Sequence, residues 1–124
     1  YRDETSDTLR FAVSTDLGSN WTTSDVSATT NTGYYSSIDA GTALLIAHYG
    51  IESTSPVVVD LQVARSTDDG ANWSVIDVDT ESTSRWFLQT ALDAENGDYY
   101  VLYVDNTSDA TLKLAKSIDD GATF

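Results

Sequence analysis

Residues 66–73 of the chain read STDDGANW, and related stretches read STDLGSNW at 14–21 and SIDDGATF at 117–124. All three follow the pattern Ser-x-Asp-x-Gly-x-x-aromatic, and their first residues are 52 and 51 positions apart (66 − 14 and 117 − 66). Repeats of about 50 residues are typical of arrays in which each unit completes its core only with its neighbours. The chain is therefore expected to be a repeat protein.

A matching five-residue segment precedes each octapeptide. These segments read LRFAV at 9–13, LQVAR at 61–65 and LKLAK at 112–116. Alternate residues of a strand point to opposite faces, so Leu9 and Phe11 would share one face while the alanine in fourth place lies on the other. The segments therefore predict three equivalent strands, each with a small residue where another sheet packs closely.

The residue types of the octapeptide suit a sharp chain reversal. The Asp carboxylate can accept backbone N–H groups, the Gly can adopt a positive φ, and the Ser hydroxyl can tie the entry of the turn. The terminal aromatic can fold back and cover these hydrogen bonds. The residues with these structural roles are Ser14, Asp16, Gly18, Trp21, Ser66, Asp68, Gly70, Trp73, Ser117, Asp119, Gly121 and Phe124.

The three octapeptides resemble the Asp box, or bacterial neuraminidase repeat (BNR), which occurs in sialidases and in many secreted β-propellers. Only the last copy departs, with Thr123-Phe124 in place of Asn-Trp. The resemblance implies a sialidase-like, all-β fold of propeller blades, each with four antiparallel strands. It also implies that each box lies between the third and fourth strands of a blade, away from the ligand-binding face. On this basis the boxes are structural, and no catalytic residue is assigned.

The segments between the octapeptides are consistent with such blades. Strands are expected at 34–39, 43–47, 57–65, 86–92, 99–104 and 111–116, with a hairpin turn at 93–98. The polar, Thr-rich residues 24–32 are expected to be an outer strand running into a loop. No segment has a sustained helical period, so almost no helix is expected.

The expected organisation is a single repeat domain over residues 1–124. It would hold about two and a half blades and be a fragment of a roughly six- to eight-bladed propeller. Residues 1–21 would end one blade, 22–73 would be the second repeat, and 74–124 would be an incomplete third repeat. The partners would then be the remaining blades of the same protein or neighbouring subunits.

The composition is strongly acidic. Six basic and twenty acidic residues give a formal charge of −14 and a pI near 4.1. Such a surface repels phosphate backbones and anionic lipids, so nucleic-acid binding and membrane insertion are not expected. The abundance of Asp, Ser and Thr favours a secreted or cell-surface protein, and the absence of cysteine excludes disulfides without excluding export.

Two further patterns are candidates for modification or metal binding. Asn20, Asn72 and Asn106 each begin an Asn-x-Ser/Thr glycosylation motif, although a structural role in the turn fully explains the first two. Residues 77–81 read DVDTE and place three carboxylates at alternate positions. No cofactor or metal site is assigned, and two interpretations of this run stay open: a calcium site or a solvated acidic edge.

The sialidase resemblance also defines the enzyme hypothesis. Enzymes of that family use three arginines, a Tyr/Glu nucleophile and an Asp acid/base. Arg10 and Arg65 occupy ordinary strand positions here, whereas Arg2 and Arg85 have no assigned place. The paired tyrosines at 34–35 and 99–100 recur at equivalent places, which favours sheet packing over a unique nucleophile. The lone His48 ends an apolar strand and is expected to be a packed or edge residue.

These observations support three functional hypotheses. The preferred one is a non-catalytic extracellular β-propeller module with a scaffold or a glycan- or protein-binding role. The first alternative is a fragment of a sialidase-like glycoside hydrolase whose catalytic residues lie mainly elsewhere. The second is a structural subunit of a surface filament or appendage, in which terminal strands are completed by a neighbouring chain. The identity of any substrate does not follow from these residues.

Overall fold

The structure of the chain, a computed structural model, describes residues 1–54, 57–82, 88–93, 96–105 and 109–124. These ranges contain no helix, which confirms an all-β fold. The strands within them are β1 (Arg2–Asp3), β2 (Thr8–Val13), β3 (Thr22–Asp25), β4 (Tyr34–Ala40), β5 (Leu44–Thr54), β6 (Val57–Ser66), β7 (Ser74–Ser82), β8 (Leu88–Asp93), β9 (Asp98–Asp105) and β10 (Thr111–Ser117).

The strands form three antiparallel sheets in which consecutive strands pair. Sheet I has the order β1-β2-β3, sheet II the order β4-β5-β6-β7 and sheet III the order β10-β9-β8. The expected strands at 34–39, 57–65, 99–104 and 111–116 are confirmed, and the one at 43–47 continues to Thr54. Residues 86 and 87 of the strand expected at 86–92 lie outside the described residues, and β8 contains the rest.

The outer strand expected to run into a loop within 24–32 ends at Asp25, the last residue of β3. Residues 26–33 form a loop, because their hydroxyl groups bind the local backbone instead of a neighbouring strand. The Thr29 N–H donates to Ser27 Oγ at 3.2 Å, and the Thr32 hydroxyl donates to the Thr29 carbonyl at 2.9 Å. Thr32 Oγ1 also accepts a hydrogen bond from the Leu9 N–H at 3.2 Å, which ties the loop to sheet I.

Sheet II contributes to two hydrophobic clusters with residues from opposite faces. One face supplies Leu45, Ala47 and Val63, which pack with Tyr99 and Val101 of sheet III. The opposite face supplies Ile46 and Ala64, which pack with Leu9 and Phe11 of sheet I. The expected alternation is confirmed at β6, since Val63 and its neighbour Ala64 belong to different clusters.

The three octapeptides lie at equivalent places in the chain. Residues 14–21 (turn A) connect β2 to β3, and residues 66–73 (turn B) overlap the end of β6 and lead into β7. Residues 117–124 (turn C) follow β10 in the same way. The sequence intervals are offset from the sheets, because 22–73 includes β3 of sheet I together with β4, β5 and β6 of sheet II.

Candidate functional site

Turn A is closed by its serine and aspartate side chains. The Gly18 N–H donates to Ser14 Oγ at 2.8 Å, while the Ser14 hydroxyl donates to Asp16 Oδ1 at 2.8 Å. The backbone N–H of Asn20 donates to Asp16 Oδ1 at 2.8 Å, and its side-chain amide donates to Asp16 Oδ2 at 2.6 Å. Both carboxylate oxygens are therefore used to hold the turn.

Turns B and C repeat this network. In turn B the serine-to-aspartate, glycine-to-serine and two asparagine-to-aspartate bonds measure 2.8, 2.9, 2.8 and 2.7 Å. Turn C has Thr123 in place of the asparagine, and its hydroxyl donates to Asp119 Oδ2 at 2.7 Å. The threonine N–H donates to Asp119 Oδ1 at 2.9 Å, so the substitution preserves both contacts.

Each turn contains two consecutive residues with left-handed backbone. The glycines have φ of 85°, 86° and 78°, as the turn chemistry predicts. The preceding residues Leu17, Asp69 and Asp120 have φ of 58°, 57° and 56°. From the sequence, a positive φ is expected only at the glycine and not at the residue before it. Asp tolerates a left-handed backbone, so Asp69 and Asp120 are the sequence feature that could indicate this conformation. Leu17 has no such preference.

The turn aspartates are more acidic than an ordinary Asp side chain. The pKa of Asp16 and of Asp68 is lowered from 3.8 to about 2, chiefly by the hydrogen bonds from the asparagine four residues on. The pKa of Asp119 is lowered to about 2 by the Ser117 hydroxyl and then by Thr123. Hydrogen bonds to the ionised form favour ionisation. At neutral pH these carboxylates are therefore structural anions and not proton donors.

Turn B packs against sheet I through its glycine and its aromatic residue. A Cβ on Gly70 would lie 2.5 Å from Cε1 of Phe11. The Trp73 ring meets the Phe11 ring edge-on, with centroids 5.3 Å apart and an interplanar angle of 63°. Trp73 also folds back over its own turn, because its indole N–H donates to the Gly70 carbonyl at 3.0 Å.

Turn C packs against sheet II in a comparable way. A Cβ on Gly121 would overlap the side chain of Leu45. The Arg65 Nε–H donates to the Asp120 carbonyl at 2.7 Å, and the Thr42 hydroxyl donates to Asp120 Oδ1 at 2.6 Å. Turns B and C therefore hold their own chain reversals and also join successive sheets.

A cleft lies beside the 26–33 loop, toward the end of sheet II that is remote from turn B. The pairing of β5 with β6 places Gly50 and Gln62 on one face toward the end remote from turn B. The loop covers them and is fixed there by the Ile51 N–H, which donates to the Asn31 carbonyl at 2.9 Å. The cleft is lined by Thr29, Thr30, Thr32, Gly50, Ile51 and Gln62, a mainly neutral set of hydroxyl, amide and aliphatic groups.

His48 is packed inside the protein. Its side chain is fully buried, and its Nδ1 accepts a hydrogen bond from the Gly33 N–H at 3.4 Å. Burial lowers the pKa of His48 from 6.5 to about 4, so the imidazole is neutral at pH 7. Its Nε2 has no hydrogen-bond partner in the part of the chain that the structure describes. A solvent-shielded imidazole of this kind does not resemble an accessible general base.

The arginines that the enzyme hypothesis would require do not converge in the described ranges. Arg2 forms an ion pair with Asp7 next to β1. Arg10 lies in β2 and pairs with a carboxylate of β3 at 3.0 Å. Arg65 binds the backbone of turn C. Arg85 lies outside the described residues. The three visible guanidinium groups therefore serve separate local contacts.

The paired tyrosines also serve local contacts. Tyr34 lies under the guanidinium group of Arg2, 4.3 Å from the ring centroid, whereas Tyr35 is half exposed. The buried Tyr99 donates its hydroxyl to the Ala43 carbonyl at 2.6 Å, and burial raises its pKa. A raised phenol pKa disfavours the phenolate that a nucleophile needs.

The carboxylates at 77–81 do not share one face. A β-bulge interrupts the pairing of β6 with β7, so Asp77 is opposite Gln62 whereas Asp79 is opposite Leu61. Neighbouring residues of β6 point to opposite faces, so the two aspartates do too. Asp77 accepts a hydrogen bond from Gln62 at 2.8 Å, and Asp79 accepts one from the Tyr103 hydroxyl of sheet III at 2.7 Å. The described residues contain no group of three metal-ligating side chains. The side chain of Glu81 lies outside them.

Two of the three glycosylation motifs are placed within the turns. The amide nitrogens of Asn20 and Asn72, the atoms that would carry a glycan, donate to the turn aspartates at 2.6 and 2.7 Å. A glycan on the folded chain would therefore compete with these hydrogen bonds. Asn106 lies outside the described residues.

Comparison with protein-family models, with curated proteins and with solved structures gives no match for this chain. In the ranges that the structure describes, no helix has the length and apolar character needed to cross a bilayer.

Proposed function

We propose that the chain is part of a non-catalytic extracellular β-propeller module that acts as a scaffold and presents a glycan- or protein-binding surface. The observation that carries this proposal is the threefold recurrence of one turn network, in which each glycine-containing turn follows an equivalent strand. Turns B and C also contact the preceding sheet. Regular stacking of small sheets through such contacts is the basis of a propeller.

The binding surface is assigned to the end remote from the turns. The polar groups of the octapeptides are already engaged with each other, so they have little capacity to bind a ligand. The cleft beside the 26–33 loop instead presents the exposed Thr29 and Thr30 together with Ile51. Neutral hydroxyl and amide groups next to an aliphatic side chain suit a glycan, which has many hydroxyls and weakly polar ring faces.

A glycan-binding screen paired with a hydrolysis assay tests this proposal. The purified chain is expected to bind members of a neutral and sialylated glycan panel without releasing product from a fluorogenic sialoside. Thr29→Val/Thr30→Val should remove binding because it deletes two hydroxyls from the cleft. Thr15→Val, an exposed threonine in turn A, is the matched control and should bind normally.

Two outcomes would contradict the proposal. Sialoside hydrolysis by the purified chain would favour the glycoside-hydrolase alternative. Equal loss of binding in the cleft and control variants would remove the cleft as the binding surface.

A further inference from the structure

In the part of the chain that the structure describes, the face of sheet III that carries Leu112 and Leu114 lacks the cover that equivalent positions have in the other sheets. The residue five positions before each octapeptide is Leu9, Leu61 or Leu112, and the residue three positions before is Phe11, Val63 or Leu114. Leu9, Leu61 and Val63 are all 0% exposed, and Phe11 is partly buried. In contrast, Leu112 is 61% exposed and Leu114 is 60% exposed.

In sheets I and II the equivalent residues are covered by the sheet that follows and by its octapeptide. Phe11 of sheet I is covered by Gly70 and Trp73 of turn B. Val63 of sheet II lies in the cluster that also contains Tyr99 and Val101 of sheet III, against which Phe124 of turn C packs. One type of interface is therefore used twice within the chain.

The complementary half of this interface is open at the other end of the chain. Among the residues that the structure describes, a Cβ on Gly18 would meet no atom closer than Cζ2 of Trp21 at 3.9 Å, whereas its equivalents in turns B and C meet the preceding sheet. Trp21 itself is 63% exposed, while the equivalent Trp73 and Phe124 are partly buried. Turn A thus has the shape of turns B and C, and within the described ranges no sheet packs against it.

We infer that these two surfaces bind each other in trans: a second copy of the chain docks head to tail, with its turn A on the Leu112/Leu114 face of the first. Trp21 of the second copy takes the place beside Leu114 that Trp73 takes beside Phe11. Lys116 corresponds to Arg65, which binds a backbone carbonyl of the following turn. The Lys116 ammonium group is held by Asp98 at 2.6 Å, and one of its remaining N–H groups would donate to the carbonyl of Leu17, the equivalent of Asp120.

The geometry of this contact determines the form of the assembly. The two surfaces are different, so the interface is heterologous and leaves one open surface at each end of a dimer. Addition of further copies is therefore expected to give open chains or a closed ring. Each copy carries a formal charge of −14, so mutual repulsion weakens association at low ionic strength and added salt strengthens it.

Complementary single variants provide the test. Sedimentation velocity of the whole chain at high salt should show species above 13.4 kDa that grow with concentration. Leu114→Asp blocks one surface and Trp21→Asp blocks the other, so each variant alone should bind itself at least about tenfold more weakly, as loss of an interface anchor predicts. An equimolar mixture still has one intact pair of surfaces and should form a 1:1 dimer that grows no further.

Two control variants keep the result interpretable. Ile118→Asp adds the same charge at a residue that is 76% exposed. The equivalent residue of turn B, Thr67, stays exposed although sheet III packs on sheet II, so position 118 should lie outside the contact and this variant should assemble normally. Trp21→Phe should also assemble, because turn C has phenylalanine at that position. Circular dichroism of each variant checks that it is folded. A wild-type chain that stays at single-chain mass, or a mixture that forms no dimer, overturns the inference. Failure of glycan binding leaves it unaffected.

Discussion

Gly70→Ala probes how a turn joins two sheets. The new methyl group meets two penalties at once. First, Gly70 has φ of 86°, and a left-handed backbone costs a residue with a Cβ about 1–2 kcal/mol. Second, the Cβ would lie 2.5 Å from Cε1 of Phe11, and overpacking of this kind costs about 1–3 kcal/mol. The free energy of unfolding should fall by roughly 2–5 kcal/mol, as measured by urea denaturation.

A double-mutant cycle separates the two penalties. In the Phe11→Ala background the ring is absent, so Gly70→Ala should cost only the backbone strain of about 1–2 kcal/mol. Gly18→Ala is a second control, since its φ of 85° is nearly the same and the nearest atom of the described residues would be 3.9 Å from the new Cβ. An equal cost of Gly70→Ala in both backgrounds would refute the proposed contact between turn B and sheet I.

Three further predictions concern single side chains. Leu17→Asn should raise the free energy of unfolding by about 0.5–1 kcal/mol, because Asn tolerates the observed φ of 58° and Leu17 is fully exposed. Thermal unfolding measures this effect, and a lower melting temperature would contradict it. Burial lowers the pKa of His48 from 6.5 to about 4, so on acidification the unfolded chain binds a proton at this site before the folded chain does. The free energy of unfolding should therefore fall by roughly 3 kcal/mol as the pH drops from 6.5 to 4. His48→Gln should reduce that pH dependence in denaturation curves; an unchanged dependence would assign it to other groups. Tyr99→Phe should cost about 0.5–1.5 kcal/mol, because the buried Ala43 carbonyl loses the tyrosine hydroxyl and keeps only the hydrogen bond from the Gly41 N–H at 3.0 Å. Tyr35→Phe at a half-exposed site should cost almost nothing. Equal urea midpoints would exclude the Tyr99 hydrogen bond as a stabilising contact.

The candidate site was only partly predictable. The turn residues could be assigned because their roles depend on local chemistry: a short side-chain acceptor, a glycine and a hydroxyl within five positions. The cleft beside the 26–33 loop is not predicted by the sequence, because the Thr-rich segment indicates a strand that runs into a loop but not the surface that the loop covers. The hydroxyl groups of this loop bind nearby backbone groups, which would otherwise be free to pair with a strand. The position of the loop also depends on its hydrogen bonds to Leu9 and Ile51, which are distant in sequence.

The run at 77–81 illustrates the same limit. Strict alternation would place Asp77 and Asp79 together, yet the β-bulge directs them to Gln62 and to Tyr103. A bulge adds one unpaired residue, so it reverses the facing of the residues beyond it in the strand. Alternation along a sequence assumes regular pairing and cannot reveal where that pairing is interrupted.

The sequence by itself determined the all-β class, the three equivalent strands and the position of the three turns, because period-2 alternation and turn chemistry involve residues that are close in the chain. Only the tertiary structure decided which faces are covered. Leu61 and Leu112 occupy the same place in the repeat, but one is fully buried and the other is 61% exposed. Their difference depends on whether another of the described sheets packs on that face, and burial is a property of that neighbour as much as of the residue itself.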